Sequence, residues 1–543
     1  MIDTSNATST ASATWVESSP TARAAGQIGV KSGVAWGLVG GLCLAAVWSV
    51  MYTTPWGTGT GWDQAMYIGA ARNLLAGKGL TIAWTADMGK PLTHFPPLYP
   101  SVLALLGLPG WDPWDAARYL NAALRGVDLV AVAALAAWAG GSRWSALIAA
   151  FVMVASVQME FVHGSAWSEP LFLVMVLGSL ALSVRYLAHG RRAVLVGASV
   201  VVACAILTRY VGLTLVPTIA LALIWWRKPR DILLFVPIAC LPLCAWVVHN
   251  ARDGGLLVGD RGIAWNSVSA EQLGKALFTV TDWVVPTVIG TRLVSADGTL
   301  YAGGALVFLL VGVALGYWLW KQRRWLTQRV AMTEADLLQR MLLVFTVMYV
   351  AGVLVSMAVF DDLVEFDTRI LAPVFVCLVI LFSAAAPRVF EWAWRVTSLR
   401  APVSVAVAAV ATAYALRFAA LVVSAHGHGV IYSNTDWLGS ATMARVRELP
   451  ADATIFSNAP DAVYILAGRG TYQIPDVGHA DAFSPLVQQA VANATGPVVL
   501  VYFGDPNIAY RRPVPIQDVQ QRLSTRVLAD LPDGQVYDVE SRT

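Results

Sequence analysis

The sequence predicts an α-helical polytopic membrane protein that ends in a small soluble α/β domain, and three observations predict it. Of the 543 residues, 57% are apolar and only 13% charged, whereas a soluble domain carries roughly 25% Asp, Glu, Lys and Arg. So few charges cannot cover a water-facing surface, which excludes a soluble multidomain enzyme. Apolar runs of about 17–25 residues recur along most of the chain, each long enough to cross a ~30 Å hydrocarbon core. From about residue 430 the composition changes, with 8 Arg and no Lys against 12 Asp plus Glu, a net of −4. The whole-chain balance, 37 − 34 = +3, is too small and dispersed for a nucleic-acid partner.

Each element follows in order. Residues 1–30 are rich in Ser, Thr and Ala without apolar periodicity and read as a disordered cytoplasmic tail. The run at 32–52 starts too far in and runs too long for a cleaved signal peptide, so it is the first retained helix. Further spans fall near 115–138, 143–159, 168–188, 193–207, 210–226, 231–249, 302–320, 340–360, 369–386 and 401–423, eleven in all. The stretch 193–226 is divided at Thr208-Arg209 so that the basic clusters on both sides face one compartment. Arg143, then Arg185/Arg191/Arg192, Arg227/Lys228/Arg230, Lys321/Arg323/Arg324/Arg329 and Arg388/Arg395/Arg400 occupy every second connection. The positive-inside rule makes these loops cytoplasmic, with the amino terminus inside and the carboxyl terminus outside. The opposite connections carry Asp63, Glu160, Glu169, Asp361, Asp362, Glu365 and Asp367.

Three outward pieces exceed a connector: about 53–113, about 250–301, and 430–543. In the first, Gln64 to Ala76 has the spacing of a helix lying along the membrane surface. Pro97 to Leu108 is too short to span and reads as a juxtamembrane or re-entrant helix, tolerated where it packs against protein. In the tail, helical pattern at 436–449 and 484–493 alternates with strand-like Ala453–Ser457 and Pro497–Gly504, which predicts an α/β sheet. Gly468-Arg469-Gly470 reads as a turn. The expected organisation is therefore a tail (1–30), a transmembrane domain (31–429) and an extracytoplasmic α/β domain (430–543). Cys43, Cys204, Cys240, Cys244 and Cys377 all fall inside spans and read as packing residues.

Polar groups in or beside apolar spans are costly, so each is a functional candidate. Most gather at the outer boundary. Asp63 stands in Gly61-Trp62-Asp63-Gln64 with Tyr67 at i+4; it suits an N-cap of the surface helix, a catalyst, or both. His94 directly precedes Phe95-Pro96-Pro97, whose prolines fix the chain as it reaches the juxtamembrane helix. Glu160, His163 and Glu169 share a connection with no basic residue, and Glu169 also suits a helix N-terminus. Arg209 and Arg369 stand at outer span ends, where a planar fork can hold phosphate; ion pairing of Arg369 with Asp367 or Glu365 is the competing role. His249 and Asn250 end the seventh span.

Asp63, the helix Tyr67–Ala76 with Arg72-Asn73-Leu74-Leu75-Ala76-Gly77, and Phe95-Pro96-Pro97-Leu98-Tyr99-Pro100 together resemble the GT-C glycosyltransferase superfamily. More closely, they are similar to the lipid-linked-sugar transferases grouped with protein mannosyltransferases, aminoarabinose transferases and the lipopolysaccharide-core glycosyltransferase-like family. Ser168-Glu169-Pro170-Leu171-Phe172, Leu207-Thr208-Arg209 and Thr368-Arg369-Ile370-Leu371-Ala372-Pro373 are similar to later recurring segments of that group. The landmarks run in order over roughly 32–425, and their order and topology carry the resemblance. It implies a GT-C-like bundle in a bacterial inner membrane, with the active site on the extracytoplasmic face. It also implies a polyprenyl-phosphate-linked sugar donor and an acceptor on a glycan, lipid or protein, among membrane lipids.

In the resemblance Asp63 matches the catalytic acidic residue of the first outer loop. Relatives often follow it with a second acidic residue; here Gln64 follows, which puts a two-carboxylate metal site in doubt. His94 matches a position where some relatives place a metal or phosphate ligand, so a divalent cation (Mg or Mn) at His94 and Glu169 stays open. Relatives often have Arg-Asn where this chain has His249-Asn250; these two, with Tyr67 and Glu169, are substrate-binding candidates. A polyprenyl phosphate is already a competent leaving group, so the site needs a base for the acceptor hydroxyl and positive charge for the phosphate. The expectation is Asp63 as base in a one-step inverting displacement, with Arg209, Arg369 and His94 or a cation on the phosphate. This parallels inverting glycosidases. Two alternatives stand beside it: an inactive membrane scaffold presenting a glycan- or partner-binding domain, and a lipid or solute transporter. A transporter calls for charges near the bilayer midplane, whereas these lie at the outer boundary.

Overall fold

The computed structural model describes residues 32–85, 88–226, 228–253, 265–284, 332–360, 366–474, 480–504, 514–522 and 524–539. The expected tail 1–30, the span 302–320, most of the loop 250–301, and Asp361, Asp362 and Glu365 lie outside them. Among the described residues seven helices are long and apolar enough to cross a membrane, and one bent pair makes an eighth. In order the helices are α1 (Ser32–Thr53), α2 (Trp62–Leu75), α3 (Leu98–Gly107), α4 (Pro113–Gly140), α5 (Arg143–Val154), α6 (Val157–Gly164), α7 (Glu169–His189), α8 (Arg192–Thr208), α9 (Leu215–Trp225), α10 (Ile232–Asp253), α11 (Ala270–Val284), α12 (Glu334–Val359), α13 (Ala372–Arg395) and α14 (Thr397–His428).

Local chemistry sets the boundaries. Asp112 caps α4 by accepting from Trp114 N at 2.8 Å, and Pro113 occupies its first position. Gly141 closes the same helix at φ +63°, a left-handed conformation that favours glycine. The span expected at 143–159 instead breaks into α5 and α6 with a bend of 61°. Ser156 starts the second piece by accepting from Met159 N at 3.2 Å, a cap strong enough to restart a helix. The expected spans 193–207 and 210–226 are shorter than a full crossing: α8 has 17 residues, and a 3₁₀ turn (Tyr210–Thr214) leads into α9. The chain divides at Arg209 as expected.

In lipid the helices gain little from excluding water, so close packing of small residues holds the bundle. Helix α4 buries Ala116, Ala117, Ala122, Ala133, Ala136 and Ala139. At Gly126 a Cβ would meet Val47 at 2.8 Å and Cys43 Sγ at 2.9 Å, so glycine lets α1 lie against α4, and Cys43 is the packing residue expected of it. A second apolar cluster joins α2 and α3 through Ala65, Tyr67, Ile68, Tyr99 and Leu103. This is the protein packing that a non-spanning α3 requires.

The C-terminal part folds around a five-stranded sheet of order β2-β1-β3-β5-β4. Strand β1 (Thr454–Ser457) pairs in parallel with β2 (Thr471–Gln473) and β3 (Val498–Phe503), while β5 (Gly534–Val539) runs antiparallel to β3 and to β4 (Thr525–Leu531). The helix expected at 436–449 is two short helices, Thr435–Leu438 and Ala441–Arg447, because Ser440 restarts the chain by accepting from Met443 N at 2.9 Å. Gly468, at φ +67°, makes the expected turn. This part sits on α2: Tyr464 lies beside Trp84 and under the Arg72 guanidinium, and Thr85 N donates to Thr471 O at 2.9 Å. Its first residues also hold the loop before α2, with Ser433 Oγ donating to Thr58 O at 2.6 Å. The sheet is thereby tied to the segment that carries Asp63.

Candidate active site

Asp63 is not the cap of α2. Gly61 precedes the helix, and Gln64 turns back so that its Oε1 accepts from Gly61 N at 3.1 Å. Gln64 is buried in that role, which leaves the Asp63 carboxylate to point elsewhere. It accepts a short hydrogen bond from Arg369 Nη1, across 306 residues of sequence.

Arg369 is held from several sides. Asp367 closes the turn before α13, its Oδ1 accepting from Ile370 N at 2.7 Å, and Tyr349 donates its hydroxyl to Ile370 O at 2.8 Å. The guanidinium lies over the Trp167 ring at 5.4 Å, and its Nε stands 3.4 Å from Glu169 Oε1. Asp367, one of the two competing partners in the sequence reading, is more distant at 4.0 Å. Arg209 reaches the same Glu169 oxygen in a short ion pair and donates to Ser168 Oγ at 3.3 Å. Ser168 Oγ also lies 3.4 Å from the Tyr67 hydroxyl. Glu169 begins α7, where the helix dipole favours its charge.

Asp63, Tyr67, Glu169, Arg209 and Arg369 therefore form one connected cluster of two carboxylates and two guanidinium groups. His94 packs its ring on Phe95 at 4.6 Å, and Phe95 packs on Tyr67 at 4.8 Å. Burial pushes the Asp63 carboxyl up, but the charge and hydrogen bond of Arg369, with His94 and Arg209 adding, hold it below the usual carboxylate range. Burial, and then the Asp63 charge, pushes the Tyr67 phenol up, so it stays protonated and can donate but not accept a proton.

His249 and Asn250 lie near the end of α10, where Asn250 is buried. The His249 ring packs on Trp246 at 5.2 Å; Trp246 donates to the Tyr210 hydroxyl at 3.0 Å, which donates to Thr93 O at 3.1 Å, the residue before His94. Glu160 and His163 belong not to an outer connection but to α6, buried among α1 and α4. Their partners are on α4, Arg125 at 3.8 Å from Glu160 and Asp128 at 3.0 Å from His163, which local sequence does not bring near. Trp167 joins the cluster without having been singled out, and Ser168 enters the sequence reading only as the start of the 168–172 landmark; adjacency to Glu169 was the available signal for both.

Among the described residues no three His, Cys, Asp or Glu side chains group as metal ligands. Asp63 and Glu169 each face a guanidinium, so this donor set does not fit a divalent cation as it stands.

No family model matches the chain, and no curated protein matches it in sequence. Solved structures do. The crystal structure of ArnT from Cupriavidus metallidurans in the apo state superposes with a TM-score of 0.57 at 14% identity, over 93% of this chain and 98% of that one. ArnT from the same organism bound to undecaprenyl phosphate gives 0.59 at 14% identity, over 93% and 98%. The archaeal oligosaccharyltransferase AglB from Archaeoglobus fulgidus, in complex with an inhibitory peptide and a dolichol-phosphate, gives 0.49 at 12% identity, over 93% and 74%.

Proposed function

We propose, on the premise that this multi-span membrane protein has the GT-C fold it shares with ArnT, that it is a glycosyltransferase acting at the outer ends of its helices. It moves a sugar from a polyprenyl-phosphate donor to an acceptor hydroxyl on the extracytoplasmic face of a cytoplasmic membrane. One observation carries the reading: the Asp63 carboxylate on a juxtamembrane helix stands against Arg369, which shares Glu169 with Arg209, in a fold where ArnT binds undecaprenyl phosphate.

In this reading the donor phosphate meets Arg209 and Arg369, with His94 adding charge. Engagement of Arg369 by phosphate loosens its hold on Asp63, whose carboxylate then becomes more basic. Asp63 takes the proton of the acceptor hydroxyl. The acceptor oxygen bonds to the anomeric carbon while the bond from that carbon to the phosphate oxygen breaks, and the electron pair leaves on the phosphate. The polyprenyl phosphate gains one negative charge in the step, which the two guanidinium groups stabilise as it grows. They supply what a divalent cation would otherwise supply, and Glu169 sets their spacing. Attack opposite the leaving group inverts the anomeric centre.

The test is a panel of radiolabelled polyprenyl-phosphate sugars offered to the purified protein in nanodiscs, with candidate glycan, lipid and peptide acceptors. Release of polyprenyl phosphate from one donor is the expected result. An absence of both release and undecaprenyl phosphate binding across the panel would overturn the reading and leave the scaffold.

A further inference from the structure

Helix α4 carries three fully buried polar side chains on one face, Asn121, Arg125 and Asp128, at the i, i+4, i+7 spacing of a stripe. The displacement uses none of them, yet each is engaged with the broken span α5–α6 or with the segment that follows it. Breaking α5 at Val154 leaves carbonyls without helical partners, and within a membrane bundle these must be satisfied by protein. Arg125 Nη2 donates to Met153 O at 2.7 Å and lies 3.4 Å from Val154 O. Glu160, 3.8 Å from Arg125 Nε, accepts from Ser49 at 2.8 Å and Thr53 at 3.0 Å on α1. Asp128 Oδ2 stands 3.0 Å from His163 Nε2; His163 Nδ1, 2.7 Å from Met159 O, must donate there because a carbonyl only accepts.

Asn121 acts one turn nearer the outer end. Its Nδ2 donates to Ser165 O at 2.6 Å and to Trp167 O at 3.2 Å, and its Oδ1 faces the Tyr99 hydroxyl at 3.5 Å. The Ser165–Ser168 segment is irregular, so its carbonyls depend on such donors. Gly59 supports the other side, donating to Gly164 O and accepting from Ala166 N, both at 2.9 Å. This segment delivers Trp167 beneath Arg369 and Glu169 beside both arginines.

We infer that Asn121 is a positioning residue of the site: by clamping the carbonyls of Ser165 and Trp167, it sets Trp167 and Glu169 against the two arginines. Arg125 and Asp128 secure the broken helix that leads into the clamp. The inference rests on the proposed function only in assigning the phosphate to those arginines.

Two variants test it in the full-length protein in nanodiscs, Asn121→Ala, which empties the volume, and Asn121→Leu, which fills it. In both, hydrogen exchange at the amides of Ala166 and Trp167 rises about tenfold or more while the helical amides of α1 and α4 keep their rates. The Kd for undecaprenyl phosphate weakens about threefold or more in both, and this loss is absent when either change is combined with Glu169→Gln, as a shared path requires. Unchanged exchange at those two amides, or an equal loss in the Glu169→Gln background, would overturn the inference. So would loss of protection throughout the protein in both variants, which would make Asn121 a determinant of the whole fold. Failure of the wild type to bind undecaprenyl phosphate would sink the phosphate assignment, while the exchange rates would still decide the clamp.

Discussion

Replacing Arg369 with Met asks how much of phosphate binding rests on one guanidinium. Met keeps an unbranched apolar stem under which Trp167 can still pack, and removes the charge and the fork. In the wild type Nη1 donates to Asp63 and Nε stands 3.4 Å from Glu169. At that separation the gross attraction to a single carboxylate is about 5 kcal/mol for an effective dielectric near 20. Desolvation of a side chain only 23% exposed offsets much of it, and about 1.5–3 kcal/mol survives for a hydrogen bond to a charged group. Carried over to the donor phosphate, this is a loss of roughly 10- to 150-fold in affinity for undecaprenyl phosphate. Transfer falls further, by about 10²–10³, because the contact strengthens as charge grows on the leaving group. Arg369→Lys restores the charge without the fork and falls between the two. The assay is equilibrium binding of undecaprenyl phosphate in nanodiscs at fixed salt, alongside thermal melting. A folded Arg369→Met protein that binds with wild-type affinity would refute the reasoning.

Three further outcomes follow from the same cluster. Glu169→Gln leaves Arg209 and Arg369 facing each other without the buried carboxylate between them, so the ligand-free protein loses about 3–5 kcal/mol; a loss under ~1 kcal/mol in thermal or denaturant unfolding would contradict the bridging role. The Asp63 carboxyl is held below its ordinary value, so its pairing stabilises fully above the ordinary carboxylate pKa, about 3.9, and is lost as pH falls through the lower folded value. The melting-temperature difference between wild type and Asp63→Asn is then flat from about pH 5 to 7 and shrinks below about pH 4; a difference that shrinks on raising the pH would contradict the sign. In the proposed reading guanidinium groups take the phosphate, so EDTA is expected to leave undecaprenyl phosphate binding unchanged; a loss restored by Mg or Mn would instead make His94 and Glu169 metal ligands.

Much of the bundle is legible in the sequence because hydrophobic length and arginine spacing are one-dimensional signals, and the division at Thr208-Arg209 came from charge alternation alone. The break between α5 and α6 was also written locally, in the capping residue Ser156, yet an apolar run of span length hides a cap within it. The contrast between Asp63 and Gln64 shows where sequence reading stops. Either side chain suits the first turn of a helix, and only the backbone decides that Gln64 returns to Gly61 while Asp63 faces Arg369. The pairings of Asp63 with Arg369 and of Glu160 with Arg125 join residues 306 and 35 positions apart, and no periodicity encodes such contacts. Arg125 and Asp128 do stand out as charges inside an apolar span, a signal that by itself marks a buried polar network.

The central claim is that Asp63 is the base of an inverting transfer. The most direct measurement is single-turnover release of polyprenyl phosphate from the donor identified in the panel, comparing wild type with Asp63→Asn, with the anomeric configuration of the product read by NMR. The wild type is expected to give inverted product, and the Asp63→Asn protein to melt normally at neutral pH apart from the lost ion pair, still bind undecaprenyl phosphate, and fail to transfer. Full transfer by Asp63→Asn, or retention at the anomeric carbon, would contradict it.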